Sequence, residues 1–297
     1  MQVEYLFTAF RRFVFYCVLI FVFAVVSGCR ENLPLGDGTQ EIQVNYQSPF
    51  ENVFIAAAKG SVDDIRYFID QGVDVNEKSN EDFENQVYTN DSRKIILDIN
   101  GTPLHYAAHH NPDIEVVKYL IEKGADANAK TDVGVTPPDL AAGHNPNMEI
   151  LKYLVENGAD ANLKDGRDWT PLHYAALHNS NVEVLEYLIE KGVDVNTRYG
   201  RNWTPLLYAA GDNPNMEILE YLFEKGADVN TVNDKGTSPL HRAAERNRNI
   251  DVLKYLLENG ANLNAKDEEG RTPFDLANTE KKKAILFAVG GKSGSEL

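Results

Sequence analysis

The chain repeats itself at intervals of 34 residues, and this regularity limits its fold more than any other feature. A threonine or serine followed by proline recurs on that spacing at Thr102, Thr136, Thr170, Thr204, Ser238 and Thr272. Self-similarity at a fixed period of this size is typical of solenoids, whose units pack only against their neighbours. The spacing therefore predicts an array of stacked helical hairpins, which displays surface rather than building one catalytic pocket.

Each Thr-Pro pair marks the start of a first helix. The hydroxyl can cap free amides, and proline suits the first helical position because no donor is needed there. A leucine and an alanine pair follow, which suits close packing between helices. We expect the first helices to end where an asparagine takes the left-handed conformation. These asparagines are Asn111, Asn145, Asn179, Asn213 and Asn247.

A second helix is predicted in each unit, two residues after each of those asparagines. Its cap candidates are Asp113, Asn147, Asn181, Asn215 and Asn249, each followed by an acidic residue that suits the helix dipole. Apolar residues then recur at helical spacing. Glycines that favour a left-handed C-terminal residue follow, at Gly124, Gly158, Gly192, Gly226 and Gly260.

The segments 102–107 and 170–175 both read T-P-L-H-Y-A, which resembles the ankyrin repeat. The resemblance implies an all-α ankyrin-repeat solenoid of helix-turn-helix units with β-hairpin or turn fingers. We count about seven units: a first unit, five regular repeats and a terminal cap with a polar outer face. Ser48 is expected to open a capping box in the first unit. Asp139 and Leu207 replace the usual histidine, which leaves the side-chain bonding of those two helix starts open.

Five segments follow from these patterns. We predict a signal peptide at 1–29, a flexible tether at 30–47, the repeat domain at 48–289 and a disordered tail at 290–297. Within the repeat domain, an insertion at about 77–98 is predicted to form an extended finger, with a docking role as a minor alternative.

The first 29 residues read as an export signal. Arg11 and Arg12 precede an apolar run from Phe13 to Val26. The following residues, Val-Ser-Gly-Cys, resemble the bacterial lipobox, which implies that Cys29 is lipidated and becomes the new N-terminus. The alternative is an uncleaved signal anchor. The resemblance implies a protein anchored by lipid to the bacterial cell envelope, facing the periplasm or the exterior.

Charge and cysteine content fit this interpretation. The net charge is −16, and removal of the signal leaves 27 basic and 44 acidic residues, or −17. Such an acidic body is repelled by nucleic acid and by anionic headgroups, so we expect no nucleic-acid partner and a hydrophobic anchor at the membrane. Cys17 and Cys29 are the two cysteines, so the mature domain can form neither a disulfide nor a cysteine-ligated zinc site.

The hairpin tips are the first candidate partner-binding positions. By resemblance to ankyrin proteins, contacts come from these tips and from the concave faces of the first helices. The tip candidates are Arg167, Trp169, Arg201, Trp203 and Lys235. Tryptophan and arginine are enriched at interface hot spots, although each indole could instead pack against the neighbouring hairpin.

The ends of the first helices supply the other candidates: His110, His144, His178, Asp212 and Arg246. Neighbouring helices lie about 8–10 Å apart, so we do not expect the histidine column to share one metal ion. The motif histidines His105, His173 and His241 are interpreted as structural. The tyrosine column Tyr119, Tyr153, Tyr187, Tyr221 and Tyr255 is interpreted as packing between second helices.

The patterns together predict a non-enzymatic scaffold that binds a protein partner as a monomer. The sequence contains no nucleophile elbow, phosphate-binding glycine loop or H-E-x-x-H motif, so we predict no catalytic residues, no metal and no cofactor. The alternatives are a secreted effector that acts on host proteins, and an enzyme with an unrecognised site.

Overall fold

The computed structural model describes residues 46–79 and 100–297, which fold as a row of seven helix pairs. The first helices are α1 (Val53–Lys59), α3 (Pro103–His110), α5 (Pro137–His144), α7 (Pro171–His178), α9 (Pro205–Asp212), α11 (Pro239–Glu245) and α13 (Pro273–Leu276). The second helices are α2 (Val62–Asp70), α4 (Ile114–Glu122), α6 (Met148–Glu156), α8 (Val182–Glu190), α10 (Met216–Glu224), α12 (Ile250–Glu258) and α14 (Glu280–Ala288). The predicted all-α solenoid of about seven units is confirmed.

Several predictions concern residues beyond this part of the chain. The signal peptide, the lipidation site Cys29, nearly all of the tether and residues 80–98 of the finger lie outside the described residues. The two flanks of that finger meet, because the Ser79 N–H donates to the Gly101 carbonyl over 3.0 Å.

The helix starts follow the capping pattern. Thr102 is extended, Pro103 occupies the first turn of α3, and the second helices are capped by the predicted Asp or Asn side chains. The first unit differs from the prediction: Asn52, not Ser48, caps α1, by accepting from the amides of Phe54 and Ile55. The Ser48 hydroxyl instead donates to Asp64 of α2 over 3.0 Å, so the predicted capping box at Ser48 is wrong.

The first and second helices of each unit end in different backbone conformations. After each regular second helix, the predicted glycine does take a positive φ, as in Gly124 at 91° and Gly158 at 98°. The left-handed conformation predicted for the asparagines is wrong. Asn111 and Asn145 are extended, with φ −88° and −77°.

Those asparagines instead join neighbouring units through their buried side chains. The Asn145 amide donates to the carbonyls of Ala108 (2.8 Å) and Asn111 (3.0 Å) in the preceding unit. Its oxygen accepts from the N–H of Asn147, the cap of α6, over 2.9 Å. Equivalent bonds recur at Asn111, Asn179, Asn213 and Asn247, and we call these five residues the asparagine ladder. The ladder satisfies backbone carbonyls that the ends of the first helices leave open.

A lysine continues the ladder in the last unit. Lys282 is buried, and its ammonium donates to the Ala244 carbonyl and to the Asn278 side chain, each over 2.9 Å. Ala244 corresponds to Ala108 in the repeat register, so the lysine replaces the asparagine amide at the same carbonyl. Burial lowers the pKa of Lys282.

One apolar core runs the length of the array, from Val53 in α1 to Leu286 in α14. The motif leucine and the alanine pair are fully buried, as Leu104, Ala107 and Ala108 show. Consecutive first helices pack against each other more extensively than consecutive second helices. We call the side of the array that the first helices form the inner face.

The fingers that connect consecutive units consist mainly of turns and contain little β-structure. Within the described residues, Tyr199 and Trp203 form the one isolated antiparallel bridge.

The last residues also differ from the prediction of a disordered tail. Thr272 donates to the Lys292 carbonyl over 2.7 Å, the Gly294 N–H donates to Asp275 over 2.8 Å, and Gly294–Glu296 forms a 3-10 turn.

Candidate partner-binding face

The two tip tryptophans occupy different environments. Trp169 is 8% exposed, and its indole packs against the rings of Tyr174, Tyr199 and Tyr208 at centroid distances of 4.9, 5.2 and 4.7 Å. Of the two alternatives, packing is therefore the one observed for Trp169. Its contribution to any interface is to hold the surrounding tyrosines in place.

Trp203 is half-buried and forms part of the inner surface. Its ring stacks on Tyr208 at 5.0 Å and 28°, and the Arg242 guanidinium lies 4.9 Å from the indole centroid. We call Tyr199, Trp203, Tyr208 and Arg242 the aromatic-arginine patch. Flat rings and a planar guanidinium offer contact area with little conformational freedom to lose.

Asp212 orients this patch. Arg242 from α11 donates to one Asp212 oxygen, and the Arg246 Nε donates to the other over 2.8 Å. The Arg242 side chain is 11% exposed, whereas that of Arg246 is 55% exposed. Two of the predicted partner-binding residues, Asp212 and Arg246, are thus paired with each other at the edge of the patch.

Exposed basic side chains surround the hairpin tips. Arg167, Arg201 and Lys235 are all exposed, and Lys235 lies 3.8 Å from Glu268. The opposite side of the array differs, because the second helices expose a row of acids at Glu115, Glu149, Glu183, Glu217 and Asp251. Lysines pair with three of these acids, Glu115, Glu149 and Asp251. At the tips, exposed basic side chains alternate with exposed acids such as Asp168 and Asp234.

The histidine column is more compact than helix spacing implies. His144 lies 4.5 Å from both His109 and His178, and His109 lies 3.9 Å from His110, measured between ring centroids. The side chains lean together across the gaps between first helices, so the spacing of the helices does not determine the distances between the rings. No group of three potential ligands in the described part of the chain has the geometry for a metal ion.

The motif histidines are structural, as predicted. His105 Nδ1 accepts from the Thr102 N–H over 3.1 Å, so its Nε2 carries the proton and bonds to the Val135 carbonyl over 3.0 Å. Burial lowers the pKa of His105 to about 4, which keeps the ring neutral. Leu207 has no such bonds, and the Thr204 hydroxyl accepts from its N–H over a long 3.4 Å.

Asp139 takes the histidine's position in the third unit. One oxygen accepts from the Thr136 amide (2.8 Å) and hydroxyl (2.7 Å), which reproduces half of the histidine's bonding. The other oxygen is buried without a hydrogen-bond partner. Burial raises the pKa of Asp139 to about 8, although the hydrogen bonds from Thr136 act to lower it.

The tyrosine column packs as predicted. Tyr119, Tyr153, Tyr221 and Tyr255 lie partly buried against the core, and Tyr187 is 8% exposed. Lys191 covers the Tyr187 ring at 5.2 Å, and Lys225 covers Tyr221 at 5.0 Å.

Comparison with known families decides the assignment. A family model described as "Ankyrin repeats (3 copies)" matches four overlapping stretches of the chain, 40–131, 104–199, 139–233 and 198–267. The chain belongs to the ankyrin-repeat family. Ankyrin repeats are protein–protein interaction domains and generally act as scaffolds without enzymatic activity.

Individual ankyrin proteins agree with the fold. The crystal structure of the human ASB11 ankyrin repeat domain is similar, with a TM-score of 0.64 and 28% identity over 83% of this chain and 99% of that one. Alpha-latrocrustotoxin-Lt1a of Latrodectus tredecimguttatus is 42% identical over 81 residues. Those residues are 27% of this chain and only 4% of the toxin, so that match adds no functional detail.

Tyr199, Tyr208 and Arg242 of the aromatic-arginine patch were not among the predicted partner-binding residues. Tyr208 and Arg242 occupy the variable position of the T-P-L-H-x-A motif, which is Tyr in units two, four and five and Arg in unit six. The motif alone does not separate Tyr208 from Tyr106 and Tyr174, which are buried at the same position.

Proposed function

We propose that this ankyrin-repeat protein is a membrane-tethered scaffold, without enzymatic activity, that holds a protein partner on its inner face and hairpin tips. The observation that carries the proposal is the aromatic-arginine patch. It combines a half-buried tryptophan with an arginine already oriented by Asp212. Interface energy concentrates in side chains of these types when they lie near the centre of an interface.

The charge distribution indicates the chemistry of the partner. Arg167 and Arg201 are exposed beside the patch, whereas the second helices on the opposite side expose acids. A partner segment with acidic side chains at its rim is therefore attracted to the tips and repelled by the back of the array. An apolar or aromatic residue of that segment would contact Trp203 and Tyr208.

The tether is the second part of the proposal. An acidic body needs a hydrophobic attachment to remain at an anionic membrane. None of the helices in residues 46–79 and 100–297 is long and apolar enough to span a bilayer. Cys29 after the apolar run of residues 13–26 is the residue that we propose carries the lipid.

Charge reversal at the tips should weaken partner binding. The double variant Arg167→Glu/Arg201→Glu changes two exposed side chains that form no side-chain hydrogen bond with the described residues. It also places acids against the partner's acidic rim. We expect recovery of the specific partner from cell-envelope extracts to fall about 10-fold, the equivalent of about 1.4 kcal/mol. Quantitative mass spectrometry of the captured proteins measures the change.

The matched control is Lys123→Glu/Lys191→Glu, which reverses two exposed charges at the ends of second helices. That variant should capture the partner as the wild type does. Equal recovery of every specific partner by wild type and tip variant would remove the proposed surface.

Removal of the proposed lipid acceptor should release the protein from the membrane. We expect Cys29→Ala to abolish labelling by radioactive fatty acid and to shift the protein out of the detergent phase. A chain that keeps its label and its detergent partition after this change would contradict the lipid tether. A secreted effector would lack the label in the wild type as well.

A further inference from the structure

The bases of neighbouring fingers are joined by a repeated pair of hydrogen bonds. The Asn128 side-chain amide donates to the Gly158 carbonyl of the next finger over 2.8 Å, and its oxygen accepts from the Asp160 N–H over 2.8 Å. The same pair of bonds recurs at Asn76, Asn196 and Asn230. Each of these asparagines therefore fixes the base of one finger against the next.

The tips of the fingers are joined by backbone bonds as well. The Gly166 N–H donates to the Val133 carbonyl over 2.8 Å, and the Asp234 N–H donates to the Arg201 carbonyl over 2.9 Å. The same bond joins the following pair of fingers, again over 2.9 Å. Since a hydrogen bond restricts both distance and angle, these contacts hold the fingers in a fixed arrangement.

One pair of neighbouring fingers lacks the bonds at the base. It consists of residues 158–169 and 192–203, and we call the contact between them the central joint. Asn162 occupies the position of Asn128 here. Within the described residues, its side chain bonds neither to the Gly192 carbonyl nor to the Asp194 N–H.

The tips at the central joint are not bonded to each other either. In the neighbouring finger, the Asn233 oxygen accepts from two amides of its own finger, each over 3.0 Å. Tyr199 takes that position at the joint, and its backbone N–H and carbonyl both bond to the backbone of Trp203 over 2.9 Å. The finger thus has a different turn, and in the described part of the chain no bond joins the Gly200 N–H to the Arg167 carbonyl.

Ring contacts and the asparagine ladder hold the central joint instead. Trp169 of the first finger packs against Tyr199 at 5.2 Å and Tyr208 at 4.7 Å. At the other end of the first helices, the Asn213 amide keeps its two bonds to the preceding unit. The helices that follow the two fingers, α7 and α9, also pack less extensively than the other consecutive first helices from α1 to α11.

We infer that the array bends at the central joint, with Asn213 as the pivot and the two fingers moving relative to each other. Rings in contact can slide and tilt, whereas the bonded fingers on either side keep their geometry. Proteins open locally where few directional contacts resist the motion. Arg167 and Arg201 lie on the two fingers, so the bend sets the distance between them. This role rests on the proposed function, but the bend itself does not.

Distances between nitroxide labels test the bend in the full chain without a partner. The first pair, Lys164→p-acetylphenylalanine/Val232→p-acetylphenylalanine, spans the central joint and one bonded joint. The matched pair, Arg198→p-acetylphenylalanine/Lys266→p-acetylphenylalanine, spans two bonded joints, and all four side chains are exposed. The members of each pair lie two units apart, roughly 16–20 Å, which double electron–electron resonance resolves once the labels extend from the chain. We expect the distance distribution of the first pair to be about 2-fold wider.

Equal widths for the two pairs would overturn the inference. Trp169→Leu removes the ring contacts of the joint, so it should widen the first distribution further and leave the second unchanged. If this variant widens both distributions alike, or neither, the ring contacts do not hold the joint and the inference fails. The comparison of the two pairs in the wild-type background does not require that variant to fold. Because no partner takes part, a failure here leaves the charge-reversal test of the binding surface unaffected.

Discussion

Asn145→Ala should destabilise the array by roughly 3 to 5 kcal/mol, because the substitution removes three hydrogen bonds, two of them buried, and leaves the Ala108 and Asn111 carbonyls unsatisfied. Two of those bonds join the second unit to the third. In a repeat protein, the loss of one interface also separates the units on its two sides. We therefore expect a lower and broader urea transition followed by circular dichroism.

The matched control is Asn162→Ala, at an exposed asparagine of the same array. Its free energy of unfolding should stay within about 0.5 kcal/mol of the wild type. If the two alanine variants unfold alike, the asparagine ladder does not hold the units together.

Asp139→Asn should remove a loss of stability that the wild type shows as pH rises from about 4 to 8. Asp139 is fully buried and its pKa is raised to about 8, so the folded chain keeps a proton that the unfolded chain loses above its ordinary carboxyl pKa. The folded state then binds more protons, and stability falls as pH rises between about 4 and 8. Asparagine resembles the protonated acid and carries no such penalty. The stability difference should grow in favour of the variant by about 1.4 kcal/mol per pH unit.

Asp275 provides a control of opposite sign at the same repeat position. Although partial burial acts to raise its pKa, bonds from the amides of Thr272 and Gly294 lower it to about 2. The stabilisation from Asp275 is therefore fully present above its ordinary pKa, and it is lost as pH falls toward 2. Between pH 5 and 8, the difference between wild type and Asp275→Asn should stay constant. A constant difference for Asp139→Asn as well would show that Asp139 is ionised throughout.

Local chemistry made most of the fold predictable. The Thr-Pro caps, the Asn or Asp caps of the second helices and Gly124 with its copies act within a few residues, so the sequence pattern carries their signal. The asparagine ladder was misread because its bonds join residues 34 to 37 apart. Periodicity shows that an asparagine recurs, but it does not show whether the backbone or the side chain requires it.

The candidate site was less predictable for the same reason. Trp169 and Trp203 have the same local sequence pattern, yet the next finger places Tyr199 over the first indole, whereas Asn233 occupies the corresponding position beside the second. Burial of the tips thus depends on the neighbouring unit. The ring contacts of the histidine column depend likewise on side-chain rotation, which the spacing of helices does not determine.

Photocrosslinking from the two faces of the array tests most directly whether a protein partner occupies the inner face. Benzoylphenylalanine would replace Tyr208 on the inner face or Tyr221 on a second helix, both partly buried, in the full chain within intact cell envelopes. The proposed function predicts a discrete protein adduct from position 208 that disappears with Arg167→Glu/Arg201→Glu, and no such adduct from position 221. An adduct from position 221 alone, or equal labelling from both positions, would contradict it.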